Sequence, residues 1–288
     1  MVSAPSIRKQ RREAERAAAK EARRAALGGR RPPLVKAALA LGILLAIVAA
    51  VMGVRAWLSD PLARGRDALA AGNYRSARID LMNAVAKAPG NVAARIDLAH
   101  AYNGLRRGTE AERQLQRAVE LGASAVATRA ELAEAQLLQG RAANALETLE
   151  QPVAARDAVR ALRIAAQAQY QMGHPAEAQA NFDAALRVHP NDADTLIALA
   201  GYRLAEQDML GADQAAEAAR RAAPASAAAL AMKAEVVRAR GGPVVALPWY
   251  RAALDADPDN VPVMLELAAS LGEAGRYGDM LGPLRRAA

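Results

Sequence analysis

The sequence predicts an all-α fold: an α-solenoid of about seven helix–turn–helix units, preceded by one transmembrane helix and a basic N-terminal tail. Three observations predict it. An alanine returns every 33 or 34 residues through most of the chain, an uncharged apolar run occupies residues 37–54, and residues 1–36 hold 11 Lys and Arg against 3 Asp and Glu. Repeats of this length in an Ala- and Leu-rich chain are typical of stacked helical hairpins.

The repeat is supported by several sets of equivalent positions, here called columns, that recur with the same spacing. The first alanine column comprises Ala77, Ala111, Ala145, Ala178, Ala212 and Ala246. The second comprises Ala84, Ala118, Ala185, Ala219, Ala253 and Ala287, with Pro152 in the place of its third member. Units close with Pro89, Pro190, Pro224 and Pro258. Small residues in the two alanine columns allow the two helices of a unit to approach closely.

Two further columns predict the turns and the core. Counting Val92 as position 1 of a unit, glycine marks the turn between the two helices at Gly72, Gly140, Gly173, Gly241 and Gly275. A residue without Cβ is the least strained choice for the left-handed backbone of such a turn. Large residues at position 24 are expected to fill the space between units: Leu81, Leu115, Leu149, Phe182, Tyr250 and Leu284.

These columns resemble the tetratricopeptide repeat (TPR) family over residues 58–288, about seven units. The third unit is one residue short and carries Pro152, the sixth carries Pro248, and the seventh carries Gly282-Pro283. Because proline inside a helix costs roughly 3 kcal/mol, we expect kinked or shortened second helices there, and a bend of the solenoid near 150–158. The seventh unit stops at position 28, so we expect either a partner that covers this end or a longer parent protein.

Residues 34–57 are predicted to form a transmembrane signal-anchor helix. The run is long enough for the ~30 Å hydrocarbon core, and its positive flank places residues 1–33, a partly helical basic tail, in the cytoplasm. Residues 58–288 would then lie in the periplasm, as part of a single-pass protein of a bacterial inner membrane. The alternative is a cleaved signal peptide, whose charged leader is normally short and whose apolar region runs about 7–15 residues.

No catalytic, cofactor or metal site is predicted. The chain has no cysteine, and its three histidines, His100, His174 and His189, fall in different units, so none has the spacing of a metal-ligand pair. Neither HExxH nor a phosphate-binding glycine loop occurs. Residues 37–288 hold 27 charges of each sign, and a neutral solenoid is not expected to bind nucleic acid. We therefore expect neither an enzyme nor a small-molecule substrate.

The TPR resemblance implies that a protein partner lies in a concave groove, which the first helices form at positions 2, 5, 9, 12 and 13. The candidate contact residues at these positions are His100, Asn103, Glu134, Arg160, Arg163, Gln167, Tyr170, Glu235 and Arg238, together with Leu137, Leu138 and Gln171. Unit 4 supplies the most polar set. The Lys and Asn clamp that some TPR domains use on C-terminal carboxylates does not reappear, which disfavours binding of chaperone tails. For any one residue, a generic solvated surface is the alternative.

Residues 61–150 carry a narrower resemblance. The segment from AGNYRSARIDLMNAVAKAPGN to VELGAS, followed by ELAEAQLLQGRAANALETL, is similar to the start of the TPR proteins of PEP-CTERM systems, which accompany exosortase and exopolysaccharide-export loci. This resemblance implies a membrane-anchored scaffold in envelope assembly or in exopolysaccharide or protein export. The alternative is a periplasmic assembly factor that holds unfolded clients, of the cytochrome c maturation or translocon-associated type.

Overall fold

The computed structural model describes residues 14–23, 38, 41–48 and 60–287, which fall into two compact regions with a boundary between Ser59 and Asp60. In the N-terminal region, residues 14–23 and 41–48 are helical. Most of the predicted transmembrane segment 34–57 lies outside the described residues. Among those that are described, no helix has both the length and the apolarity that a membrane crossing requires, so the structure gives the predicted transmembrane helix no support.

The C-terminal region confirms the predicted all-helical solenoid. Residues 60–287 form fourteen α-helices in seven consecutive pairs, with one 3₁₀ turn at Ala155–Asp157 before the fourth pair. The helices are α1 Pro61–Ala70, α2 Tyr74–Lys87, α3 Val92–Gly104, α4 Gly108–Glu120, α5 Ala125–Leu138, α6 Ala142–Leu149, α7 Ala158–Gln171, α8 Pro175–Val188, α9 Ala193–Ala205, α10 Met209–Ala222, α11 Ala227–Gly241, α12 Pro243–Ala256, α13 Val261–Glu273 and α14 Tyr277–Ala287.

Each helix packs on its neighbours in the chain, and the first helices also pack on one another. Successive odd-numbered helices from α1 through α11 are in contact, so they form one continuous surface of the solenoid. The alanine columns lie where helices cross; Ala111 and Ala118, for example, are fully buried. This arrangement brings side chains from distant parts of the sequence onto one face.

The position-24 residues fill the space between units, as predicted, in most of the repeats. Leu81, Leu115, Phe182 and Tyr250 are all buried, each with an exposed fraction of 2 % or less. Burying a side chain of this size contributes about 1.5–3 kcal/mol. Leu149 and Leu284 are only partly buried, because α6 is short and α14 has a neighbour on one side only within the described chain.

The turns within units use a left-handed residue, but not always a glycine. Gly72, Gly140, Gly173 and Gly275 have φ between 71° and 80°, as predicted. In the sixth unit the prediction of Gly241 is wrong, because Gly241 ends α11 and Gly242 has φ 85°. The second and fifth units place Arg106 (φ 58°) and Gln207 (φ 63°) in this conformation.

A hydrogen bond shared by these turns explains why Arg106 and Gln207 adopt the left-handed conformation although they are not glycines. After Gly173, the His174 N–H donates to the Gln169 carbonyl at 2.9 Å; after Gln207, the Asp208 N–H donates to the Arg203 carbonyl at the same distance. The bond caps the first helix and fixes the start of the second. The two helices of a unit can pack together only if the turn has this geometry. The packing therefore imposes the left-handed backbone conformation, whichever residue stands there.

Replacing Gln207 with glycine is expected to raise the free energy of unfolding by about 0.5–1 kcal/mol. The left-handed conformation is unfavourable for an L-residue by about 1–2 kcal/mol, and glycine removes this strain from the folded state. Glycine also gives the unfolded chain more conformational entropy, but this opposing effect is smaller. Gln207 is exposed, so the substitution removes no packing. The measurement is the urea midpoint by far-UV circular dichroism. Gln207→Ala keeps the strain and is the control, and equal midpoints for the two variants would contradict the prediction.

The three proline departures have different outcomes. Near Pro152 the predicted shortening is confirmed, because α6 ends at Leu149 after eight residues. The helix that contains Pro248 has 14 residues and is not shortened, and the helix that contains Pro283 continues past the proline to Ala287. Proline removes only one backbone donor, and around Pro248 the buried Leu247 and Tyr250 hold α12 in place. The bend near 150–158 stays a prediction.

Candidate partner-binding groove

The first helices of the second to fifth units line a cavity of about 430 Å³. Six of the nine predicted contact residues line it: His100, Asn103, Glu134, Arg160, Arg163 and Gln167. Leu137, Leu138 and Gln171 line it too, with Ile197 from the fifth unit. These side chains come from α3, α5, α7 and α9, whose contacts with one another make their repeat positions adjacent in space.

Arg160 is the centre of the polar lining. Its guanidinium bridges two carboxylates of α5: Nη2 donates to Glu131 Oε2 at 2.8 Å, and Nε donates to Glu134 Oε2 at 2.8 Å. Further short contacts join Nη1 to Glu131 and Nη2 to Glu134. The planar fork of arginine suits two such acceptors at once. With only 18 % of its side chain exposed, Arg160 ties the third unit to the fourth.

Glu131 is held from a third side by α3. The His100 ring contacts Glu131 Oε1 through Nδ1 at 2.7 Å, and the Asn103 amide donates to Glu131 Oε2 at 2.8 Å and to its main-chain carbonyl at 2.9 Å. Burial alone would raise the pKa of this carboxyl, but Arg160 and His100 outweigh it and lower that pKa to about 2. Glu131 is therefore a fully partnered anion at the junction of three units.

Glu134 and Arg163 complete the cluster less tightly. Burial opposes ionisation of Glu134, yet Arg160 and then Arg163 lower its pKa. Arg163 Nη1 lies 3.7 Å from Glu134 Oε1, and the buried Arg163 Nε has no hydrogen-bond partner among the described residues. Arg160 donates to two carboxylates and also contacts the His100 ring, so Arg163 is the member of the cluster with an unused donor.

The cluster offers binding chemistry. Its carboxylates are held ionised by cations, so neither is poised near neutral pH as a general acid or base would be. Within the described residues no group of His, Cys, Asp and Glu side chains has the arrangement of a metal site. The cavity lining presents hydrogen-bond donors and acceptors together with the apolar side chains of Leu137, Leu138 and Ile197.

Three predicted contact residues lie elsewhere. Tyr170 packs edge-on against Tyr202, with ring centroids 5.1 Å apart, so its ring joins the fourth and fifth units instead of lining the cavity. Burial and the Glu206 carboxylate raise the pKa of Tyr170. Glu235 and Arg238 lie on α11, outside this cavity, and Arg238 pairs with Glu266 and Glu273 of α13.

Sequence reasoning missed Glu131 and Tyr74. Glu131 stands at position 6, which is not one of the groove positions of the repeat, and Tyr74 begins a second helix. A signal for Glu131 was available: Glu131 and Glu134 on one first helix match Arg160 and Arg163 on the next, each pair with i, i+3 spacing, which places both members on one face. Tyr74 had no such signal. Its ring lines the cavity and packs against Gly104, where a Cβ would come within 2.4 Å of the ring.

Acid is expected to weaken the solenoid through Glu131. Its pKa is about 2 in the folded chain against an ordinary 4.5, so its contribution is fully present above pH 4.5 and is lost as the pH falls towards 2. The contribution is on the order of 3 kcal/mol. Urea midpoints measured from pH 6 to pH 2.5 should fall through this window, and the fall should be shallower for Glu131→Gln. An unchanged slope in that variant would contradict the prediction.

Two family models and the fold of one solved structure agree with the repeat architecture. Two tetratricopeptide repeat family models match, one over residues 68–127 and one over residues 159–202. No curated protein matches the sequence. The crystal structure of the APC/C hetero-tetramer Cut9-Hcn1 is 15 % identical with a TM-score of 0.55, over 79 % of this chain and 45 % of that one. MamA 41-end from Desulfovibrio magneticus RS-1 is 20 % identical with a TM-score of 0.43, over 56 % of this chain and 94 % of that one.

The chain spans less than half the length of the Cut9-Hcn1 structure that it matches, and at this identity the likeness is one of fold. The two family matches fall on helices that the structure places in the first, second, fourth and fifth units, and the first match reaches the start of α5 in the third unit. The described chain is therefore an all-helical, TPR-like solenoid that carries tetratricopeptide repeats at residues 68–127 and 159–202.

Proposed function

We propose that this chain is a non-enzymatic, inner-membrane-anchored scaffold whose groove binds a protein partner in envelope assembly or export. TPR proteins generally mediate protein–protein interactions. The observation that carries the proposal is the cavity of about 430 Å³, because positions 2, 5, 9, 12 and 13 of successive units line it together. A groove several units long suits an extended segment or a helix of a partner.

The lining favours a defined partner over an unfolded client. Some of its ionic groups, such as Arg160 and Glu134, already have partners within the chain, and these groups hold their geometry before a ligand arrives. A preorganised polar site discriminates between ligands because a wrong one leaves buried donors unpaired. A surface for unfolded clients would instead expose continuous apolar area.

Membrane anchoring is part of the proposal and rests on the sequence. Residues 34–57 carry the apolar run, and the excess positive charge lies before it, which is the arrangement that keeps the N-terminus cytoplasmic. The chain lacks cysteine, so single cysteines placed at residue 5 and at Gln116 can be labelled without background. With an intact inner membrane, an impermeant maleimide should reach residue 116 and not residue 5. The reverse labelling would overturn the topology.

The partner is tested by a photo-crosslinking amino acid at Gln167, which lines the cavity. The matched control is Gln116, an exposed glutamine on α4. We expect a discrete crosslink to an envelope protein from position 167, absent from position 116 and weakened by Arg163→Glu. The same products from both positions, or none from position 167 in intact cells, would overturn the groove as the binding site.

A further inference from the structure

The solvent-facing side of α2, in the first unit, carries two large apolar side chains in one row. Arg75, Ile79, Met82 and Ala86 are all exposed and follow one another at spacings of four, three and four residues, so they lie along one face of the helix. Ile79 is 55 % exposed and Met82 is 47 % exposed. These four residues are called the outer row of α2 below. The apolar pair on successive turns forms a small patch that is open to solvent.

The later units place polar or small residues at the two apolar positions of this row. The position of Ile79 is occupied in the following units by Arg113, Glu147, Ala180, Gln214, Pro248 and Gly282. The position of Met82 is occupied by Gln116, Glu150, Asp183, Glu217, Arg251 and Arg285. All of these are exposed except the half-buried Glu217. Packing of the repeat therefore does not require an apolar residue at either position, and the pair in the first unit points to a contact outside the fold.

The charge of α2 indicates what kind of surface makes that contact. Arg75, Arg78 and Lys87 outnumber Asp80, which gives α2 a net charge of +2, whereas the other six second helices carry −1, 0 or +1. Asp80 already pairs with Arg64 of α1 at 2.7 Å, and none of the three cations of α2 forms an ion pair within residues 60–287. An apolar pair accompanied by unpaired cations is the composition that favours the surface of an anionic bilayer.

The hairpin of the first unit brings the end of this row towards the start of α1. A turn of three residues joins α1 to α2, and the contact between Arg64 and Asp80 shows that the two helices run antiparallel. Met82 therefore lies towards the end of the hairpin at which α1 begins. Only residues 58–60 separate α1 from the predicted transmembrane segment, a chain length of at most about 15 Å.

Resting on the membrane anchor of the proposed function, we propose that the outer row of α2 lies on the surface of the bilayer that holds the anchor. Ile79 and Met82 enter the headgroup region, and the long side chains of Arg75 and Lys87 reach lipid phosphates. Two apolar side chains bind a bilayer only weakly by themselves. The anchor keeps them close to the lipid at a high effective concentration, so weak contacts suffice. This contact fixes how the first unit is held at the membrane.

The test places an environment-sensitive fluorophore on Ala86→Cys of the full chain, which has no cysteine of its own. The chain is reconstituted in vesicles of equal parts phosphatidylcholine and phosphatidylglycerol that contain a lipid with a nitroxide at the headgroup. We expect severalfold stronger quenching at residue 86 than at the control, Glu120→Cys, which is the equivalent exposed position of α4. No quenching at residue 86, or equal quenching at both positions, would overturn the proposed lipid contact.

Two double variants separate the apolar pair from the fold. Ile79→Ser with Met82→Ser should reduce the quenching at residue 86 severalfold and leave the urea midpoint nearly unchanged, because both side chains are exposed. Arg113→Ser with Gln116→Ser makes the same change at the equivalent positions of α4 and should leave the quenching as it is. Vesicles of phosphatidylcholine alone should give weaker quenching, because the cations then lose the net negative charge of the surface. Equal effects of the two double variants would contradict the inference.

The same samples distinguish failure of this inference from failure of the anchor. A chain that does not float with the vesicles would overturn both. A chain that floats without quenching at residue 86 keeps the anchor and overturns only the contact of α2. A blue shift at residue 86 without quenching, seen in concentrated and not in dilute samples, would assign the outer row to a second copy of the chain and would likewise overturn the lipid contact.

Discussion

Replacing Arg160 with alanine is expected to lower the free energy of unfolding by about 3–5 kcal/mol. The substitution leaves Glu131 and Glu134 close together, with side chains only 9 % and 18 % exposed and without their main cation. An unpaired buried charge is far costlier than the pair itself is stabilising. The measurement is urea unfolding of the full chain followed by far-UV circular dichroism.

A neighbouring arginine supplies the control for this prediction. Arg156 lies four residues earlier, is 72 % exposed, and approaches Asp157 only to 3.6 Å; Arg156→Ala should change the free energy of unfolding by less than about 0.5 kcal/mol. The triple variant that also replaces both glutamates with glutamine should recover much of the loss, because it removes the uncompensated charges. If Arg160→Ala and Arg156→Ala had equal effects, the cluster would not hold the third and fourth units together.

The architecture could be predicted from the sequence because every repeat must meet the same packing requirements at equivalent positions. Each Ala111-like position needs a small side chain where two helices cross, and each Phe182-like position needs a large one, so the columns report the spatial arrangement directly. The turns were less readable. Arg106 and Gln207 occupy left-handed positions where local preference favours glycine, because the packing of whole helices outweighs about 1–2 kcal/mol of local strain.

The groove was only partly readable, for a different reason. Repeat positions specify which backbone sites face the concave surface, and six of nine residues chosen in that way line one cavity. They do not specify which side chains saturate one another. Arg160 and Arg163 are equivalent in sequence terms, yet Arg160 is occupied by two carboxylates and Arg163 retains a buried Nε without a partner. That distinction depends on contact distances of 2.8 Å for Arg160 and 3.7 Å for Arg163, which no sequence pattern encodes.

Replacing Phe182 with alanine is expected to lower the free energy of unfolding by about 3–5 kcal/mol. The ring is fully buried at position 24 of the fourth unit, packs in one cluster with Ala166 and Leu199, and lies 5.5 Å from the Tyr202 ring. Its removal opens a cavity between two units that alanine columns already bring close, so the helices have little room to collapse further.

The control lies on the same helix. Val188 ends α8 and is 64 % exposed, so Val188→Ala should change the urea midpoint little. Phe182→Leu retains most of the buried volume and should lose less than half as much stability as Phe182→Ala. Because each unit contacts mainly its neighbours, hydrogen exchange should report the loss in α7 to α10 and leave the amides of α1 to α4 protected. Uniform deprotection along the solenoid would contradict this local packing and would instead indicate that all seven units unfold as one cooperative body.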